Sequence, residues 1–203
     1  MIKNSLNRWV LVLVTLLSIQ HLEANKGQVV ELNLNDDDLE LNIARVKSWS
    51  RNSQTYFGAG FLSSYHKESE KKLSMADLTM THVGITEIPG IGFGLGFKYI
   101  YSDLDAIIKK REANALAIRL KMMYTLPIVV RSVVGLTVNY APSSLVFSDN
   151  LDRFREYRLE LNFEPIEGGW IYFGYRHVGF DFDDRKDEVE LSDSTYIGMK
   201  LYF

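Results

Sequence analysis

Residues 91–101 read Ile-Gly-Phe-Gly-Leu-Gly-Phe-Lys-Tyr-Ile-Tyr. Ile91, Phe93, Leu95, Phe97, Tyr99 and Tyr101 fall on one face, and Gly92, Gly94, Gly96 and Lys98 fall on the other. A period of two belongs to strands, because successive side chains of a strand point to opposite faces. The pattern returns at 114–126, where Leu116, Ile118, Leu120, Met122 and Tyr124 oppose Ala115, Ala117, Arg119, Lys121 and Met123. It returns again at 154–163, at 170–178 and at 195–203. Weaker versions lie at 28–34, 39–47, 54–64, 74–86 and 132–141. In 74–86 the two faces compete, with Met75, Asp77, Thr79, Thr81 and Val83 set against Ala76, Leu78, Met80 and His82. The chain therefore reads as all-β with about ten strands, or eight if the first hairpin lies outside the sheet.

Composition narrows what such a sheet can be. With 203 residues there is room for one domain or two small ones. No cysteine is present, which excludes disulfides, thiolate zinc sites and a lipid-bearing cysteine. A net charge of -3 gives no polybasic footprint, so nucleic acid is not an expected partner. The mean hydropathy of -0.08 excludes a chain of spanning helices. It does not exclude a membrane barrel, in which lipid-facing and lumen-facing residues alternate and cancel in the average.

The amino terminus has the layout of a secretory signal peptide. Lys3 and Arg8 precede an apolar run from Trp9 to Ile19, and a polar stretch ends at Ala24. The run is too short to span a bilayer as a helix, which needs about 20 residues. Residues 1–24 are thus predicted to be removed, leaving 25–203 as an exported domain.

Connections sort by length. Segments 87–90, 127–131 and 164–169 are short, whereas 65–73, 102–111, 142–153 and 181–194 are longer and charged. Short turns alternating with long loops are expected of a transmembrane barrel, whose turns face one compartment and loops the other. A soluble periplasmic β-sandwich binding a ligand is the alternative, since it also alternates. Tyr99, Tyr101, Tyr124, Tyr140, Trp170 and Tyr175 near strand ends suit interfacial girdles and favour the barrel. Closure follows from hydrogen bonding, because an open strand edge in lipid costs several kcal/mol per unpaired group.

The final strand, through Tyr196, Met199, Leu201 and the terminal Phe203, resembles the end of bacterial outer-membrane barrels that the assembly machinery reads. Tyr140-Ala-Pro-Ser-Ser-Leu-Val-Phe-Ser-Asp and Arg153-Phe-Arg-Glu-Tyr resemble a segment of the YfaZ family of outer-membrane proteins. Tyr172-Phe-Gly-Tyr-Arg, Phe180-Asp-Phe-Asp-Asp and Tyr196-Ile-Gly-Met-Lys-Leu-Tyr-Phe follow in the same order, and the early Asn33-Leu-Asn-Asp-Asp is similar more weakly. The match covers the carboxyl-terminal third, and the middle agrees only in its alternation. The resemblance implies a small Gram-negative outer-membrane barrel, with outer-membrane lipids, lipopolysaccharide and the barrel-assembly machinery as partners. It supplies no biochemical activity and no catalytic residues to carry over.

Inside such a barrel the polar face is the candidate site. Arg45, Lys47, Arg119, Lys121, Glu156, Arg158, Glu160, Arg176 and Lys200 are expected to point into the lumen. A barrel of this size has an interior little wider than its side chains, so these charges either pair into a ladder that plugs it or line a narrow polar channel. The glycines at 58–60 and 92–96 are expected to leave room opposite bulky inward residues such as Tyr172 and Arg176. The Gly90–Gly96 run is no phosphate loop, because no helix and no Lys-Ser/Thr pair follows it.

An enzyme acting on lipid or peptide is the other functional class. His177 with Asp181 or Asp183 is its only candidate pair, and no further catalytic grouping accompanies it. The acidic run from Asp181 to Glu190 lacks the spacing of a calcium-binding EF-hand loop. The expectation is therefore a barrel without enzymatic activity, metal or cofactor.

Overall fold

In a computed structural model, residues 27–50, 52–66, 71–104, 112–128, 130–149, 151–183 and 188–203 are described. The expected signal peptide lies outside them. Ten strands run in chain order: β1 (Gln28–Leu34), β2 (Asp38–Ser50), β3 (Ser53–His66), β4 (Lys71–Ile85), β5 (Ile91–Asp103), β6 (Glu112–Leu126), β7 (Ser132–Ala141), β8 (Leu151–Ile166), β9 (Gly169–Phe182) and β10 (Val189–Tyr202). Each pairs antiparallel with its chain neighbours, and β1 pairs with β10, so the sheet closes into a barrel. The first hairpin is therefore part of the sheet, and ten strands replace the alternative of eight.

Closure leaves one weak seam. β1 has seven residues, and its ladder with β10 runs only from Val29 opposite Tyr202 to Leu34 opposite Ile197. Near the chain ends, the N–H of Phe203 donates to the carbonyl of Gln28 at 3.0 Å and the N–H of Gln28 to the carbonyl of Phe203 at 3.2 Å. Every other strand has ten residues or more.

Parity fixes the two surfaces. Phe93, Leu95, Phe97, Ile118, Leu120, Leu159, Phe173 and Ile197 are all exposed on the outside. Tyr99, Tyr101, Tyr140, Tyr157 and Tyr175 are exposed towards the long-loop end, and Tyr124 towards the short-turn end. The competition in β4 is resolved with Met75, Asp77, Thr81 and Val83 buried inside and Leu78 and Met80 exposed outside. No described helix is long and apolar enough to cross a membrane, which says nothing about strands.

The interior is layered along the barrel axis. At the long-loop end, inward residues of β3 to β10 form one apolar cluster that includes Leu62, Met75, Ile100, Ala115, Phe154, Val178, Phe180 and Leu191. The β7–β8 connection folds back over it. Its 3-10 turn, Ser143–Leu145, leads into Val146, which bridges to Ala115, and the N–H of Phe147 donates to the Asn114 carbonyl at 2.9 Å. Charged residues fill the middle, and the short-turn end is open and mixed. β6 shows the change of layer along one face: Ala113, Ala115 and Ala117, then Arg119 and Lys121, then Met123.

Candidate functional site: the charged lumen

Glu40 is the hub of the middle layer. It projects inward from β2 and is buried, and so needs partners to offset desolvation. Its carboxylate accepts from Arg158 Nη2 at 2.6 Å, Arg176 Nη1 at 2.5 Å and Asn33 Nδ2 at 2.7 Å. Arg176 also reaches Asp38 at 2.8 Å, and Asp38 accepts from the hydroxyls of Ser192 at 2.6 Å and Ser194 at 2.8 Å. Arg158 contacts Glu156 at 3.2 Å and Glu31 at 3.4 Å. Lys98 lies between Glu156 at 2.7 Å and Asp77 at 3.1 Å. Lys200 takes Glu31 at 3.2 Å, and Tyr196 O–H donates to Glu160 at 2.9 Å.

These bonds have a direction. Asp38 and Glu40 on β2 reach Arg176 on β9 and Arg158 on β8, across the lumen and around the short β1. Tyr172 on β9 donates to Asn33 on β1, and Lys200 on β10 pairs with Glu31 on β1. The network therefore staples the seam that has the fewest backbone pairs. Multiply bonded charges of this kind are tolerated in a low-dielectric interior because each keeps several partners.

Glu156, Arg158, Glu160 and Arg176 are inward and buried, and Arg119, Lys121 and Lys200 are inward and partly buried. Arg45 and Lys47 are not inside. In β2 the buried inward positions are Asp38 and Glu40, which puts Leu39, Leu41, Ile43, Arg45 and Lys47 on the outer face. Both basic residues lie near the short-turn end, where a long side chain can reach water, and Lys47 Nζ sits 4.4 Å from the centre of the Trp49 ring. Tyr196 also departs from its grouping. It faces the lumen, whereas Ile197 and Met199 are exposed outside. Trp170 is another inward residue rather than a girdle residue. It lines the turn-end mouth with the Arg131 guanidinium 5.4 Å from its ring centre.

Glycine makes room for the tyrosines, but not the glycines expected. The ring of Tyr172 lies over Gly198 and that of Tyr196 over Gly174, each its cross-strand partner in the β9–β10 pair. Gly58 and Gly60 instead make room for Thr79, Asn42 and Asp77. At Gly96 an added Cβ would fall 2.0 Å from the Met80 carbonyl oxygen, so only glycine permits that approach of β4 and β5.

Sequence reading missed Glu31, Asn33, Asp38, Glu40, Asp77 and Lys98 as members of the network. A signal was present for β2, because Asp38, Glu40 and Asn42 alternate with Leu39, Leu41 and Ile43.

Two spaces in the lumen are lined by the described residues. A central cavity of about 110 Å³ is lined by Glu31, Glu40, Asp77, Lys98, Arg119, Lys121 and Arg158, among others. It adjoins a turn-end vestibule of about 500 Å³, and Tyr56, Val83, Lys121, Lys200 and Tyr202 line both. In the apolar layer, Ile100, Ala115, Phe154, Val178, Phe180 and Leu191 have zero exposure and line neither space.

On the outer rim, His177 stands 3.4 Å from Glu188 and 3.9 Å from Asp193. Its expected partner Asp181 is held instead by Arg155 at 3.0 Å and Arg153 at 3.4 Å. The outward parity of β9 turns His177 towards β10, whose bulge between Glu190 and Ser192 brings the acidic residues to it. Glu190 and Asp193 come within 4.8 Å of His177, and both are exposed. Asp193 already accepts from Tyr175 O–H at 2.5 Å. Residues 184–187 of the acidic run lie outside the described residues.

No family model and no curated protein matches the chain. Among solved structures, the one described as "NanC porin structure in rhombohedral crystal form" is similar at 9% identity and a TM-score of 0.47. The similarity covers 87% of this chain and 99% of that one.

Proposed function

We propose that the chain is a small integral outer-membrane barrel without enzymatic activity, its lumen closed to through-flow. The apolar exterior and the tyrosines at its rim support a lipid environment. The resemblance to YfaZ proteins supports the outer membrane, with lipopolysaccharide and phospholipid as neighbours and the assembly machinery reading the last strand. The observation that carries closure is the zero-exposure apolar layer spanning the long-loop end. Ions entering from the turn end reach the central cavity and meet Phe154 and Phe180 beyond it.

Fractionation on a sucrose gradient, followed by a gel comparing heated and unheated samples, tests the location. An outer-membrane band that shifts on heating is expected, and recovery in osmotic-shock fluid would overturn the proposal. Planar-bilayer recording of the purified protein tests closure. A silent trace is expected, and discrete openings would establish the narrow polar pore instead.

A further inference from the structure

The lumen holds two cations that its own acids do not neutralise at contact distance. Arg119 and Lys121 lie two residues apart on β6 and point to the same side, about 7 Å apart along the strand. Among the described residues neither has a carboxylate within 4 Å, and the buried Nε of Arg119 has no hydrogen-bond partner. The acids on the same wall are already engaged: Glu31 by Lys200, Glu40 by Arg158 and Arg176, Asp77 by Lys98.

The surroundings leave space in front of this pair. Across the β5–β6 ladder, Lys121 is opposite Gly94 and Arg119 is opposite Gly96, so neither has a side chain directly opposite it on β5, while Val83 and the β4 backbone pack against the two glycines. Thr79, Thr81 and Tyr56 add hydroxyl groups to the cavity wall. A space of about 110 Å³ holds several waters, or a tetrahedral oxyanion in their place. The adjoining vestibule is different in character, with Met123, Val133, Ile91 and Trp170 on its walls. Isolated buried cations are costly, and an anion seated between them recovers that cost.

We infer that the lumen is a blind receptor site, open at the turn end, for a small organic anion. Its phosphate or carboxylate head sits between Arg119 and Lys121, and its uncharged body lies in the vestibule against Trp170 and Met123. The single mouth rests on the closed-lumen proposal. Binding is read in detergent without a membrane, so a conducting barrel and an anion-free one give separate signatures.

The test is calorimetric titration of the folded protein in micelles with inorganic phosphate and with phenyl phosphate, at constant ionic strength. One saturable site is expected, with phenyl phosphate bound at least tenfold tighter than phosphate. R119Q/K121Q is expected to weaken both at least tenfold, and W170A to weaken phenyl phosphate alone. If the double variant gives no heat-modifiable folded band, R119Q and K121Q are measured singly, and each must weaken phosphate several-fold. On the unsubstituted protein, phenyl phosphate is expected to protect Lys121 from reductive methylation. Absence of saturable binding, unchanged affinity in the folded variants, or an unprotected Lys121 would overturn the site.

Discussion

The phenol ring of Tyr196 occupies the space above its cross-strand partner Gly174, with Cζ only 2.3 Å from where a Cβ would stand. One step along the same pair, Tyr172 covers Gly198 in the opposite sense, and the two rings meet edge to face at 6.1 Å. Each ring also donates a hydrogen bond, Tyr196 to Glu160 and Tyr172 to Asn33. The aromatic pair thus ties the last hairpin to the charged layer, and glycine on both strands is the condition for it. Gly174→Ala and Gly198→Ala are each expected to destabilise the barrel by about 1–3 kcal/mol through overpacking. Tyr196→Phe keeps the ring and loses one hydrogen bond, for about 1–3 kcal/mol if Glu160 is left short of a donor. Denaturant unfolding in vesicles, followed by tryptophan fluorescence, separates these cases. Equal stability of Gly174→Ala and the parent would refute the packing assignment.

Glu40 neutralises two arginines at once, so its replacement exposes the cost of the seam staple. Among the described residues, Glu40→Gln leaves Arg158 with Glu156, Glu31 and, at 3.9 Å, Glu160, and Arg176 with Asp38. Breaking a buried pair by removing one partner typically costs about 3–5 kcal/mol. The added substitution Arg158→Met removes the excess positive charge while leaving Glu156 with Lys98, Glu31 with Lys200 and Asp38 with Arg176, and is expected to recover part of that loss. The same unfolding measurement checks both, and additive destabilisation in the double variant would contradict the coupling.

Parity made most of this architecture legible. Once β5, β6, β8, β9 and β10 are written as alternating faces, the exposed and buried residues follow, including the change on β6 from alanines to bases. Arg45 and Lys47 went astray because charge was weighed above parity. Leu39, Leu41 and Ile43 share their face, and a basic residue near a strand end can face outward when water is within reach. Trp170 failed similarly, since an aromatic near a strand end suits a girdle or a mouth, and only its even position beside Tyr172 and Arg176 tells them apart. The acids opposite the bases were harder to read. Pairing Glu40 with Arg176 requires β1 to close on β10, and no local pattern states that register. The apolar layer was hidden for the same reason, because Leu62 and Met75 on β3 and β4 join Phe180 and Leu191 on β9 and β10 in one cluster only after closure.

The two outward surfaces of β2 and β6 give a direct test of membrane embedding. Leu120 is exposed in the middle of β6, whereas Arg45 is exposed near the turn end of β2. In a bilayer, Leu120→Arg is expected to cost about 2–4 kcal/mol, as for arginine at a barrel's lipid-facing midplane. Arg45→Leu is expected to change stability by about 0–1 kcal/mol, as near an interface. Unfolding from vesicles reads the difference. If Leu120→Arg were neutral in vesicles, the outer face would not be the lipid face.

The proposed closure of the lumen depends on a few rings. Phe154 and Phe180 pack at a centroid distance of 5.2 Å, fully buried, between the charged layer and the long-loop end. Each replacement by alanine is expected to cost about 3–5 kcal/mol, from lost burial and the cavity left behind. In F154A/F180A that cavity borders the layer holding Glu156 and Arg176, so water gains a polar route towards the loops. The expected outcome in a planar bilayer is brief discrete openings in the double variant and none in the parent. A folded, heat-modifiable F154A/F180A barrel that stays silent would show that the charged layer alone suffices to close the lumen. Openings in the variant would assign the barrier to these two rings, leaving the ion-pair network to hold the seam.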